Sequence, residues 1–476
     1  MLVEKQLVTS LRELHAEDQS RFRDSELGWS RLFAKIFRCE CRFMSDRGIW
    51  LVWSGKRWEV DKNSLFVAAR AKRLADALLE YALEIPHERR GNLLDHWMKW
   101  QKLGVRESVV KDACSELALK VTDLDTDFLL FNVDNGTLNL NTQELQPHKP
   151  SDFITKLAPV SFDPGAEYAR FPQFVTEIMA GDPEMMRYLQ KSLSYALTGS
   201  VELEKLFIWY GATTRNGKST LAESMLGLVG DYGAVLPAES LSTLRKSRGN
   251  EASADIARLQ GVRCVMVSEP ARSTVLNAAL VKNLTGGDTV IARSLYQDFF
   301  EYKPTHKLFM HTNYLPRVND PSLFDSGRVA VVPFPVHFPE KVQDRKLKAK
   351  FATPMARSAM LNWVLEGLRL YHDEGLDSPK PVSLAVGDYA RESDALAQFM
   401  EAWLEPDITG EVRTSELLKL YQVWALDNNF PKEGKVSFKA MLERTGLTVV
   451  RRRPITGGSQ ATLVLGYRLK QSDSSD

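Results

Sequence analysis

Residues Tyr210 to Thr220 read YGATTRNGKST, and no other stretch restricts the fold so tightly. An apolar run, Leu206 to Tyr210, feeds a glycine-bearing turn. The pattern from Lys218 to Leu228 is helical and stops before Gly230. Strand, glycine loop and helix in that order make a phosphate cradle: successive backbone N–H groups point inward, and the positive end of the helix adds to the same field. Gly211, Asn216, Gly217, Lys218, Ser219 and Thr220 are the candidate binding residues. Lys218 is expected to reach the β- and γ-phosphates of ATP. Ser219 is expected to offer its hydroxyl to Mg²⁺, a hard ion that takes oxygen ligands and keeps several waters. Thr220 then begins to pack inward. Five residues separate Gly211 from Gly217, where the usual pattern has four, so Ala212 takes the first glycine's place in the standard register.

With 476 residues the chain has material for two or three domains and a large core. Its formal charge is only +1, so any nucleic-acid surface must be local. Cys39, Cys41, Cys114 and Cys264 make neither a zinc pattern nor a disulfide framework, which fits a reducing cytoplasm. The first residues, MLVEKQLVTSLRELHAED, are too charged for a signal peptide, and no apolar run is long enough to cross a bilayer. A membrane role is not expected.

Three strand-like segments follow the loop. Arg263 to Val267 leads into Ser268-Glu269-Pro270, and an acid at the C-terminal end of a buried strand is where an α/β nucleotide site places its water chemistry. Glu269 is the candidate general base and a second candidate ligand for Mg²⁺. Lys307 to Thr312 ends at Asn313, whose amide suits a γ-phosphate or an in-line water. Arg328 enters the third segment, Val329 to Phe334; a guanidinium forks onto phosphate oxygens and suits a finger reaching into a neighbour's nucleotide.

In order, GATTRNGKST, VMVSEP, KNLTGGDTVIARSLY, FMHTNYLP and RVAVVPF resemble the superfamily 3 helicase module of phage and plasmid primase-helicases, related to the poxvirus nucleoside-triphosphatase. Upstream, GIWLVWSGKRWEVD, FNVDNGTLNLNTQELQPHKPSDFITKLAPVSFDP and YLQKSLSYALTG resemble that family's N-terminal region, so the likeness runs from about residue 40 to about 340. The resemblance implies an AAA+ ATPase that assembles as a homo-oligomeric ring, usually a hexamer, around DNA. Lys218 and Ser219 match its Walker A lysine and hydroxyl, Glu269 its Walker B acid, Asn313 its sensor and Arg328 the finger supplied in trans. Two departures stand out: the extra loop residue, and Ser268-Glu269 where paired acids are common.

The resemblance also places a DNA-gripping hairpin between Lys282 and Lys303. Gly286-Gly287-Asp288 supplies a turn, Val290 to Tyr296 alternates like a strand, Gln297-Asp298 forms the tip, and Phe299 to Lys303 returns. Lys282, Arg293 and Lys303 are its candidate phosphate contacts. Further on, Ala385 to Leu404 reads as a helix, as do Thr414 to Asn428 and Val436 to Arg444. Strands Leu447 to Arg453 and Ala461 to Leu469 follow, joined by a Gly457-Gly458 turn. Helix, helix and a two-stranded wing is a winged-helix order. Glu411 to Lys470 carries eleven Lys or Arg against five Asp or Glu, and Lys435, Lys439, Arg451, Arg452 and Arg453 are candidate contacts to duplex phosphates.

The expected fold class is therefore α/β. An AAA+ P-loop ATPase core at 201–372 lies between a mixed α+β N-terminal domain at 1–165 with a helical collar at 166–200, and a linker at 373–384 leading to a winged-helix domain at 385–470. Residues 471–476 make a tail. Trp29, Trp50, Trp53, Trp58, Trp97 and Trp100 suggest a small aromatic core near the N-terminus. The run Asp123 to Asp127 invites a metal reading, because primases of the archaeo-eukaryotic kind use paired aspartates on a strand, but no accompanying histidine motif or further acid is evident.

The leading functional reading is an ATP-driven DNA helicase for replication of a phage, prophage or satellite element. Its partners would be single-stranded and forked DNA and a separate primase or initiator. Two alternatives stay open: an origin-binding initiator that works as an ATP switch, and a primase-helicase with a polymerising site near Asp125.

Overall fold

The computed structural model describes residues 2–90, 93–243, 254–293, 299–428, 430, 432–455 and 457–470. At its centre five parallel strands lie in the order Val329–Pro333, Leu206–Tyr210, Lys307–Thr312, Cys264–Val267, Gly233–Leu236. Their apolar runs are nearly continuous because both faces are covered, and the period of two deals side chains to two layers. Phe207, Trp209, Met266, Phe309 and Val332 pack with helices Arg170–Ile178, Pro183–Tyr195, Lys218–Val229 and Pro354–Glu374. Leu206, Ile208, Val265, Leu308 and Val331 pack with Ala278–Thr285 and Lys380–Ser393. Since the strands run one way, Tyr210, Val267 and Thr312 all end at one edge of the sheet.

Arg263 and Arg328 stand just before their strands rather than inside them. Arg263 is buried, and burial pulls its guanidinium below the usual value. It donates to the Leu197 carbonyl at 2.7 Å and the Leu130 carbonyl at 2.8 Å, and lies 4.6 Å from the centre of the Tyr232 ring. One side chain thus ties the collar, an N-terminal strand and the sheet together. Arg263→Met leaves two buried carbonyls without a donor and is expected to lower stability by about 2–4 kcal/mol. Urea unfolding at an unchanged slope is the check.

The N-terminal region is mixed α+β, as expected. Helices Leu2–Glu17, Glu26–Phe37, Leu65–Glu84 and Leu103–Glu116 accompany a sheet ordered Trp58–Val60, Ile49–Trp53, Cys41–Met44, Ala118–Leu119. A meander of Leu130–Val133, Gly136–Asn139 and Leu145–Gln146 follows. Trp29, Trp50, Trp97 and Trp100 share one buried core, whereas Trp58 is buried in a second, smaller cluster with Trp53 partly buried against it, so the single aromatic core expected is divided in two. The three aspartates of the run 123–127 are spent on backbone contacts: Asp123 accepts from Lys120 N and Asp127 from Leu129 N in local turns, and Asp125 accepts from the distant Thr155 N. Among the described residues no group of three or more His, Cys, Asp or Glu is placed to hold a metal, and no helix is long and apolar enough to cross a membrane.

Near the C-terminus the expected boundaries shift. Helix Lys380–Ser393 begins inside the stretch read as a linker at 373–384 and packs on Val329–Pro333, burying Tyr389 in the core of the parallel sheet. The single helix expected from Ala385 to Leu404 is broken at Asp394, whose side chain caps Ala395–Trp403. Helices Thr414–Asp427 and Lys435–Arg444 and strands Val449–Arg452 and Ala461–Leu469 form close to their expected bounds. An additional strand, Leu404–Arg413, pairs with the far side of Ala461–Leu469 to give a three-stranded sheet. Around it Phe399, Leu417, Tyr421 and Phe438 build a separate core.

Candidate active site

The loop after Leu206–Tyr210 opens at the C-terminal edge of the sheet. Gly211 N–H donates to the Thr312 carbonyl at 3.2 Å. A Cβ at Gly211 would stand 2.3 Å from Asn216 Nδ2 and 2.8 Å from the Phe334 carbonyl oxygen, so only glycine fits. Gly217, at φ 88°, takes the left-handed conformation that glycine adopts freely, directly before the helix at Lys218. Asn216 is buried and donates to the Thr213 carbonyl at 2.7 Å; it braces the loop from inside. The segment that leaves the edge strand Val329–Pro333, the loop strand's other neighbour, holds the loop's outer flank. His337 Nδ1 donates to the Thr214 carbonyl at 2.8 Å, Phe338 N–H to the Arg215 carbonyl at 3.0 Å, and the Arg215 guanidinium to Gln343 Oε1.

Among the described residues the N–H groups of 212–217 donate to no carbonyl, and those of Lys218, Ser219 and Thr220 open a helix with no carbonyl one turn back. A rim of unspent donors at a helix N-terminus is the donor set that a polyphosphate satisfies. Ser219 and Glu269 are exposed beside it and offer two oxygens to a hard cation, which would draw its remaining oxygens from phosphates and water. The residues present fit ATP with Mg²⁺. Thr220 is half-buried, in keeping with its expected turn inward.

Three sequence candidates from three strands meet in one chain of hydrogen bonds. Lys218 Nζ donates to Asn313 Oδ1 at 2.9 Å and more weakly to the Gly211 carbonyl at 3.4 Å. Asn313 donates in turn to Glu269 Oε1, from Nδ2 at 2.8 Å and from its backbone N–H at 3.1 Å. The amide faces both ways because its strand lies between the loop strand and the acid strand. Lys218 is buried, and burial lowers its pKa to about 8 against a smaller opposing pull from Glu269.

A pH dependence follows. A bound phosphate favours the ammonium, so the bound pKa lies above the free one. Nucleotide affinity is therefore expected to weaken as pH rises through about 8, with proton uptake on binding in that range. Titration calorimetry in two buffers of different ionisation enthalpy measures the uptake, and a pH-independent affinity from 7 to 9.5 would refute it.

Arg328 does not join the cluster. It stands at the opposite edge of the sheet, where its guanidinium donates to the Lys282 carbonyl and Thr285 Oγ1, each at 3.0 Å, and pairs with Glu204 at 2.6 Å. Arg272 was not anticipated. Its guanidinium lies 4.0 Å from the centre of the Tyr314 ring, next to Asn313; an arginine three residues past the acid was the available signal.

The DNA candidates divide. Val290–Arg293 and Phe299–Tyr302 pair as an antiparallel hairpin, and its expected tip lies outside the described residues. Arg293 lies 5.1 Å from the centre of the Phe299 ring, and Lys303 is exposed at the hairpin base. Lys282 is instead on helix Ala278–Thr285, where its ammonium reaches Ser322, so it belongs to the body of the core rather than to the hairpin. Lys435, Lys439, Arg451, Arg452 and Arg453 are all exposed. They do not form one face: adjacent strand residues point to opposite sides, which separates Arg452 from Arg451. Arg452 pairs with Glu411 at 3.1 Å and Lys439 with Glu443 at 3.3 Å.

Residues 30–180 match the family described as D5 N terminal like, and residues 209–328 a family of unknown function (DUF5906). The chain is 26% identical over 321 residues to a putative helicase of Acanthamoeba polyphaga mimivirus, covering 63% of this chain and 33% of that one. It is 30% identical over 245 residues to a putative helicase of Frog virus 3, covering 48% and 25%. A putative primase of African swine fever virus is 23% identical over 292 residues, covering 57% and 30%. The chain thus spans a quarter to a third of the length of these curated relatives. Among solved structures, the apo NrS-1 C terminal region shares 11% identity at a TM-score of 0.49, covering 90% of this chain and 96% of that one. Together the D5 N terminal like match and the viral relatives support a kinship with the primase-helicase proteins of viruses.

Proposed function

We propose that the chain is the motor of an ATP-dependent, ring-forming DNA helicase that serves replication of a phage, prophage or satellite element. The observation that carries the reading is the Lys218–Asn313–Glu269 chain beside a rim of unspent N–H donors. In it the loop and first-turn N–H groups bind the polyphosphate, and Lys218 neutralises the β- and γ-oxygens. Asn313 holds Glu269 toward the space where water attacks, and Glu269 accepts that water's proton. Mg²⁺, held by Ser219 and Glu269, supplies charge neutralisation when bound.

The AAA+ reading is supported by the sensor strand lying between the loop and acid strands, and the winged-helix reading by the helix, helix and hairpin order after residue 413. Strand gripping is supported by the exposed Ile291 and Phe299 on the hairpin, at the edge opposite the nucleotide. Arg328 acts in trans in this reading, exchanging Glu204 and the Lys282 carbonyl for a neighbour's phosphate.

The test is unwinding of a labelled forked duplex, with ATP and with a non-hydrolysable analogue. Arg328→Ala rings and Lys218→Ala rings are each expected to be inactive, and mixing them to restore part of the activity, because some mixed seams carry both native residues. Strand displacement by Lys218→Ala alone would sink the motor.

A further inference from the structure

A groove of about 1190 Å³ runs between the hairpin and the N-terminal sheet. Arg47 and Lys62 stand on its N-terminal wall, and Arg258, Phe300 and Lys303 on the other. It reaches Gly233, Val262 and Thr305, which precede or begin strands of the parallel sheet, so it opens at the edge away from Lys218. We propose that this groove is a second binding site for the backbone of a single-stranded polynucleotide, distinct from the hairpin tip. The proposal rests on the reading that this chain works on nucleic acid strands.

Charge decides the class of ligand. The lining carries six basic residues, Arg47, Arg57, Lys62, Lys156, Arg258 and Lys303, against four acids, Glu59, Asp125, Asp231 and Glu301, a surplus of two. Arg57 pairs with both Glu59 and Asp231, while Arg47, Lys62, Arg258 and Lys303 are exposed and have no carboxylate partner among the described residues. In a chain of formal charge +1 this is a local surplus. Aromatic surface accompanies it. The Arg47 guanidinium lies 5.6 Å from the centre of the half-exposed Phe300 ring while donating to Gln260 Oε1 at 2.9 Å, and Phe128 also lines the groove at 44% exposure. Cations that follow a backbone, with rings on which bases stack, are the means by which single strands are held without sequence preference. Continuity supports the same occupant: Phe299–Tyr302 is both a hairpin strand and a groove wall, so a strand gripped at the hairpin runs directly into the groove.

The test reverses three charges in the full chain, Arg47→Glu, Lys62→Glu and Arg258→Glu, and follows the anisotropy of labelled oligo-dT and oligo-rU across a salt series. Affinity is expected to fall at least about tenfold, and the slope of log affinity against log salt to lose about 2, as for three phosphate contacts to a single strand. Basal ATP hydrolysis and the melting temperature should not move. Loss with oligo-dT alone assigns a DNA strand to the groove; loss with oligo-rU alone assigns an RNA strand. Unchanged affinity and slope in the variant, with wild-type chain binding, would overturn the groove. Wild-type chain that binds neither oligomer would instead remove the reading beneath it. Should the triple variant fail to fold, Lys62→Gln with Arg258→Gln is read in the same way, with a slope change of about 1.

Discussion

Lys218→Met is expected to abolish ATP hydrolysis without lowering the melting temperature of the protein. The lysine's pKa is about 8 in the fold, pulled down chiefly by burial, against 10.5 when free. A folded value below the unfolded one means that the fold holds this proton less tightly than the open chain does. Charging the side chain therefore costs stability, on the order of 3 kcal/mol, in full below about pH 8 and not at all above the free value. Methionine keeps most of the buried stem and removes the charge. It loses the bond to Asn313 and the weaker one to the Gly211 carbonyl, each worth about 1 kcal/mol net. Activity responds in the opposite sense, because nothing else in the cluster answers the charge on the phosphates, and turnover should drop by about 10²–10³ or more. Phosphate release and calorimetric melting read the two effects separately. Turnover near the wild-type rate would show that the lysine serves the fold and not the chemistry.

Glu269→Gln is the second. Its side-chain oxygen still accepts from both N–H groups of Asn313, so the cluster keeps its shape. What is lost is the ability to take a proton from water, worth about 10²–10⁴ in rate for a positioned base. Nucleotide is therefore expected to stay bound while hydrolysis stops, as read by equilibrium binding of a fluorescent ATP analogue beside phosphate release. Loss of binding together with turnover would make Glu269 a binding residue, and the base would have to be sought elsewhere.

The loop was readable because its information is local. Gly211, Gly217 and Lys218 lie within one strand, turn and helix, and each residue type is dictated by its own backbone or by the charge it meets. Glu269 and Asn313 were readable as strand ends. Their meeting was not, because it depends on the order of parallel strands, and pairing between residues so distant in sequence leaves no period in the chain. The edge strand Gly233–Leu236 is too short to alternate, and Arg215 finds Gln343 only once the sheet has closed. Lys282 shows the reverse error: a basic residue near a hairpin was assigned to it by position, when helix geometry turns it toward Ser322. The boundary expected at 385 failed for a similar reason. The polar, proline-bearing stretch before it marks a turn, but the packing of Tyr389 decides which core the next helix joins.

The strand Lys307–Thr312 has Asn313 at one end, and the hairpin returns into the other through Tyr302 and Thr305. Six residues of extended backbone make a strut about 20 Å long, clamped on both flanks by parallel neighbours. In the proposed motor, the phosphate site and the hairpin would thus be mounted on a single stiff rod, and no long relay of side chains would be needed between cleavage and pull.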